Sequence, residues 1–137
     1  MDAAAQGIRD SVARLPVGTA SLTEKKARFT RLFRIVPEVS NACTVEFHIA
    51  EDGTFGLYLG AIRAENLPLS AACVVEMCEA VGRGDIDEES WSRKGTLLKY
   101  TTVLHLPSGD LSETEVVEVF GLVGATEHAR KRYEPYV

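Results

Sequence analysis

The clearest order of apolar and polar positions along the chain lies between Ala42 and Ile62. Cys43, Val45, Phe47 and Ile49 alternate with Thr44, Glu46 and His48, and Phe55, Leu57, Leu59 and Ala61 alternate with Thr54, Gly56, Tyr58 and Gly60. A period of two belongs to a strand with one buried face, so the stretch predicts a hairpin. A turn of Asp52 and Gly53 alone would set Phe47 against Tyr58 and bring the apolar set of one strand onto the polar face of the other. A loop of Glu51, Asp52 and Gly53, with Gly53 left-handed, instead pairs Val45 with Leu59, Phe47 with Leu57 and Ile49 with Phe55. The opposite face then sets Thr44 against Gly60, Glu46 against Tyr58 and His48 against Gly56.

The remaining pattern predicts helices and a second hairpin. Residues 2 to 15 carry Ile8, Val12 and Leu15 at helical spacing, and Pro16 ends the run. Ser21 and Glu24 have capping-box spacing and predict a helix to about Ile35, with Leu22, Phe29, Leu32, Phe33 and Val36 as its apolar residues. Asn66 to Leu69 reads as a turn, after which Ser70 caps a helix from Ala71 to Val81 that is apolar on nearly every side. Gly82 and Gly84 close that helix, and Cys73 and Cys78 are expected in its core contacts. Asp87 predicts the cap of a short helical turn through Trp91, and Lys94-Gly95 turns the chain into the second hairpin. There Leu98, Tyr100, Thr102 and Leu104 share one face, and Pro107 to Asp110 form the turn. The return strand is expected near 114–123, with Leu98 opposite Val119, Tyr100 opposite Val117 and Lys99 opposite Glu118. Glu127 to Arg132 reads as a short helical segment.

These elements place the chain in the α+β class. The expectation is an antiparallel sheet of four or more strands, built from two hairpins and covered on one face by helices. One domain spanning residues 1–137 suffices, since a chain of this length buries roughly two-thirds of its unfolded surface without a staple.

Charge changes this picture locally. The formal charge is -5 with a pI near 5.2, which argues against nucleic acid as the main partner. From Glu38 to Glu89 eleven acidic residues face only Arg63 and Arg83, a local balance of -9. Against this, Lys25, Lys26, Arg28, Arg31 and Arg34 place five cations in ten residues, and Arg130, Lys131 and Arg132 form a second basic run. An exposed basic face is commonly a solvated one; its functional reading is a docking surface for an acidic partner or an anion. The basic segment is also expected to pack beside the chain's own acidic middle, or to drive self-association into a dimer.

Chemistry is thinly marked. Cys43, Cys73 and Cys78 have no CxxC spacing, so no metal and no disulfide framework is indicated, and a reducing, cytoplasmic compartment fits. The beginning of the sequence carries no basic-then-apolar leader pattern, and no apolar run is long enough to span a membrane. Asp85, Asp87, Glu88 and Glu89 cluster without the glycine and terminal glutamate of a calcium loop. Phosphate-cradle and zinc-protease motifs are absent, so neither catalytic residues nor cofactors are assigned.

Three functions follow. The first is a non-enzymatic interaction protein of immunity, inhibitor or chaperone type. It would meet a protein partner through charged surface, with Lys25, Lys26, Arg28, Arg31, Arg34, Asp85, Asp87, Glu88 and Glu89 as candidate contacts. The second is a small-molecule binding domain or enzyme using the polar hairpin face, where Glu46, His48 and Tyr58 lie beside Gly56 and Gly60 around an ionisable ring. The third is an anion-binding adaptor using the basic segment 22–36.

Overall fold

In the computed structural model, which describes residues 2–117 and 124–137, two helices and nine strands lie among the described residues. They run α1 (Asp2–Ala13), β1 (Ala20–Lys26), β2 (Thr30–Pro37), β3 (Val45–Ala50), β4 (Thr54–Leu59), β5 (Ile62–Pro68), α2 (Ala71–Gly82), β6 (Ile86–Arg93), β7 (Thr96–Leu104), β8 (Leu111–Val116) and β9 (Glu127–Arg132). Five strands form one antiparallel sheet in the order β1-β2-β3-β4-β5, and four form a second in the order β8-β7-β6-β9. The α+β class holds, with its antiparallel pairing divided between two sheets.

The β3–β4 hairpin has the expected register. Glu46 lies opposite Tyr58, Phe47 opposite Leu57, His48 opposite Gly56 and Ile49 opposite Phe55. Gly53 sits at φ 86, and Asp52 Oδ1 accepts from the Thr54 amide at 3.0 Å and its hydroxyl at 2.7 Å. Cys43, Val45, Phe47 and Ile49 are all buried, as are Phe55, Leu57 and Leu59. They join Phe33 and Ile35 of β2, Ile62 of β5, Ile86 of β6 and Leu104 of β7 in one apolar cluster. Both helices enter it, α1 through Ala4, Ala5 and Ile8, and α2 through Val74, Met77, Cys78, Ala80 and Val81. The helices also approach each other closely: a Cβ on Gly7 would come within 2.7 Å of Val75 Cγ2. Ser70 caps α2 as expected, its hydroxyl accepting from the Cys73 amide at 3.3 Å. At the far end Arg83 is the capping residue and Gly84 takes the left-handed conformation at φ 73.

Several expected elements differ. Residues 21–35 are not a helix but the β1–β2 hairpin, closed at Ala27 to Phe29. The helical set Leu22, Phe29, Leu32, Phe33 and Val36 omitted Ile35, yet Phe33 and Ile35, two apart, are the residues the core takes, while Phe29 is 60% exposed. The period of two prevails because β3 already offers a strand edge, and Phe33 pairs with Phe47 across it. Asn66 to Leu69 is mostly strand: β5 runs to Pro68, and Asn66, at φ 56, lies in a bulge that shifts the register from Leu57–Ala64 to Phe55–Leu67. Asp87 to Trp91 and Glu127 to Arg132 are strands β6 and β9, paired with each other, rather than helical turns. Neither could be read locally, because each strand's polar residues are matched by those of the other.

In the second hairpin Leu98, Thr102 and Leu104 share the buried side as expected, but Tyr100 lies opposite Glu115 and Lys99 opposite Val116. The slip is two residues, which leaves every side chain on its expected face. Val119 and Glu118 lie outside the described residues. Lys94 (φ 51) and Gly95 (φ 79) close the β6–β7 hairpin with the paired left-handed conformations of a tight turn. Cys73 is exposed, on the side of α2 turned away from the cluster, and only Cys43 and Cys78 are buried.

Candidate functional site

The polar face of the β3–β4 hairpin brings together Glu46, His48 and Tyr58. His48 Nε2 lies 3.0 Å from Glu46 Oε1, and the His48 and Tyr58 rings stand 4.3 Å apart at an interplanar angle of 35°. Tyr58 donates to Glu65 Oε1 at 2.7 Å, and that bond, with burial second, pushes its hydroxyl up to about 12. Gly56 is covered rather than open: a Cβ there would meet Tyr58 Cε2 at 3.0 Å, so the tyrosine ring occupies the space that the glycine leaves. Gly60 does not join this group. It forms the β4–β5 turn at φ 55 and faces Thr102 of the other sheet. The expected polar seat is therefore filled by the hairpin's own side chains.

The acidic cluster meets a basic strand, though not the expected one. β9 sets Arg130 opposite Glu89, Lys131 opposite Glu88 and Arg132 opposite Asp87. The side chains follow, with Arg130 Nη2 3.2 Å from Glu89, Lys131 Nζ 3.6 Å from Glu88, and Arg132 3.5 Å from Asp85 and 4.0 Å from Asp87. His128 also bonds Glu89. Burial raises the Glu89 carboxyl, and the His128 hydrogen bond and the Arg130 charge outweigh it and hold the group below its ordinary range. Asp87 further holds His105 Nε2 at 2.6 Å, while Asp110 takes Nδ1 at 3.1 Å. Two carboxylates on opposite ring nitrogens cannot share one ion with the imidazole, and among the described residues no group of three metal-ligating side chains converges. The same outer face carries Trp91 between Lys99, whose Nζ is 4.4 Å from the ring centre, and His128, stacked at 5.0 Å.

The basic segment is left with charge to spare. On β1–β2, Arg9 of α1 grips Glu24 at 2.7 Å and Arg31 reaches Asp2 at 3.5 Å. Lys25, Lys26, Arg28 and Arg34 are exposed and make no ion pair among the described residues. Phe29 projects at the turn beside Arg28, whose guanidinium lies 5.1 Å from its ring centre. Strand register divides these charges between two sides. Arg31 and its partner Lys26 share the side of Phe33, whereas Lys25 and Arg34 lie on the outer face, where Arg34 is directly opposite Glu46. Sequence alone grouped all five cations on one segment but not on two faces of a hairpin.

An apolar cleft of about 660 Å³ opens between α1, α2 and the residues after β9, lined by Val12, Leu15, Ile35, Cys78 and Tyr136, with Arg14 and Glu79 at its rim. No sequence signal marked it, because its walls come from four separate segments. No helix among the described residues is long and apolar enough to cross a membrane. No family model matches the chain, and neither a curated protein nor a solved structure matches it.

Proposed function

We propose that this is a non-enzymatic interaction protein that binds an acidic macromolecular partner through the β1–β2 hairpin. The observation that carries this reading is the contrast between the two charged regions. Asp85, Asp87, Glu88 and Glu89 are occupied by β9 and Arg83, whereas Lys25, Lys26 and Arg28 stand exposed near the turn that carries the projecting Phe29, and Arg34 stands exposed on the outer face of β2. A cation without an internal partner is available to a second molecule, and an exposed aromatic at its centre adds contact area of the kind that anchors interfaces. The filled hairpin seat gives less support to a small-molecule site at Glu46, His48 and Tyr58.

The test is affinity capture from lysate of the cells that make the protein, at low and high salt, with mass spectrometry. A specific partner should be retained at low salt, released as salt rises, and lost from Lys25→Glu/Arg28→Glu, because surface charge is screened within about 10 Å at 0.1 M salt. Asp87→Asn should retain it. A partner held equally by the charge-reversed hairpin overturns the reading.

A further inference from the structure

From the hydrogen-bond register of β1 we infer that the partner binds as an added strand, an extended acidic segment laid along the free edge of the five-stranded sheet. This rests on the basic hairpin being the docking surface and specifies how that surface is used. β1 is the terminal strand of its sheet, and among the described residues no strand pairs with its outer side. Its bonding to β2 is anchored at both ends, where Ala27 donates to the Thr30 carbonyl at 2.8 Å and Glu38 to the Thr19 carbonyl at 2.9 Å. In an antiparallel pair every second residue exchanges such bonds, so Ser21, Thr23 and Lys25 face β2 through their main chain. Ala20, Leu22, Glu24 and Lys26 direct their amides and carbonyls away from it, and these groups form an unpaired ladder along the edge. Most of the strand's side chains are exposed, so an incoming strand meets backbone rather than cover.

Charge selects the occupant. At the Lys25–Lys26 end the two faces of an added strand meet different cations: Lys25 on the outer face, with Arg34 one strand farther in, and Lys26 on the other, where Arg31 is held by Asp2. Glu24 is already held by Arg9. Side chains alternating to both faces of an acidic segment therefore each find a positive group. A second copy pairing through its own β1 would bring two basic hairpins onto one edge, and lysine on an edge strand discourages that self-pairing. Main-chain bonds would supply the shared part of the affinity, and the cations would supply the preference for acid.

The probe is a labelled peptide of about eight residues in which adjacent pairs of glutamate, flanked by valine and threonine, put acid on both faces of the strand, a length that matches one strand. Glu24→Pro removes an outward amide that β2 does not use, a position where an edge strand tolerates proline. It should weaken peptide binding by about tenfold or more, whereas Glu24→Ala, which keeps the amide, should change it by no more than about threefold. In the unaltered protein, hydrogen exchange at Leu22 and Glu24 should slow when the peptide is added. Should Glu24→Pro fail to fold, that exchange decides the question: unchanged exchange overturns strand addition. Equal binding of an acidic peptide of the same composition interrupted by proline overturns strand addition too, but leaves the charged hairpin as the docking surface. Full binding to Lys25→Glu/Arg28→Glu removes the docking surface and the inference with it. Tighter binding of single-stranded RNA or phosphatidylserine vesicles than of the peptide overturns the choice of an acidic protein segment.

Discussion

Thr102 stands where a side chain on Gly60 would have to go. Its hydroxyl accepts from the Ala61 amide at 2.8 Å, and a Cβ on Gly60 would come within 2.5 Å of that same oxygen. Thr102 is fully buried on β7 and Gly60 turns β4 into β5, so the pair joins the two sheets. Replacing Gly60 with Ala is expected to destabilise the fold by at least about 1–2 kcal/mol, from the left-handed backbone alone. Thr102→Val leaves the Ala61 amide without its acceptor and should cost about 1–3 kcal/mol. Thr102→Ser keeps the acceptor and should cost less than Thr102→Val. Denaturant midpoints of the three variants measure these differences; equal costs for Ser and Val would show that the hydroxyl does not join the sheets.

The three thiols should differ in reactivity. Burial, with Glu88 nearby, pushes Cys43 up to about 11, and burial beside Glu79 pushes Cys78 up to about 12, whereas Cys73 is exposed. A thiol reagent at pH 8 should label one site in the native protein and all three in denaturant, since the thiolate is the reacting species. Native labelling should vanish in Cys73→Ser, and rapid labelling of Cys78 would contradict the packing of α2.

His105 should make stability depend on pH. Its bond to Asp87 raises its pKa above the ordinary 6.5, burial lowers it, and Asp110 raises it again; Arg132 faces Asp87 from β9. A raised folded pKa means that the folded state holds the proton more tightly. The stabilisation is therefore fully present below the unfolded value near 6.5 and is lost as pH rises through the folded value. The melting-temperature gap between the native protein and His105→Ala should be largest at pH 5–6 and shrink toward alkaline pH. A gap that widens with pH would overturn the clamp. The ring is partly exposed, so the effect should diminish in salt.

Tyr136 ties the residues after β9 to the core. It is buried, its hydroxyl bonds the Cys43 carbonyl, and its amide donates to Gly82 at 2.9 Å. Tyr136→Phe should cost about 1 kcal/mol and Tyr136→Ala about 3–5 kcal/mol, read from thermal or denaturant unfolding. A near-neutral Tyr136→Ala would show that this segment is dispensable for the fold.

The β3–β4 hairpin was legible residue by residue because its register is decided within a short span of chain, by alternation and one left-handed glycine. Ser70 and the α2 run were legible for the same reason, since cap and apolar face are local. The β1–β2 hairpin was not. Leu22, Phe29, Leu32 and Phe33 fit a helical period as well as they fit a strand, and what separates the two is the neighbouring β3, on which Phe33 finds Phe47. β6 and β9 escaped recognition because the charges that make each polar in isolation cancel across their shared ladder. The candidate site divides along the same line. Local pattern named the cations of residues 25–34 and the acids of 85–89, but a charge is free or spent according to what the chain brings against it from a distance. Long-range pairing gave Glu88 and Glu89 to Lys131 and Arg130, and left Lys25, Lys26 and Arg28 at the edge of a sheet, with Arg34 exposed on the next strand.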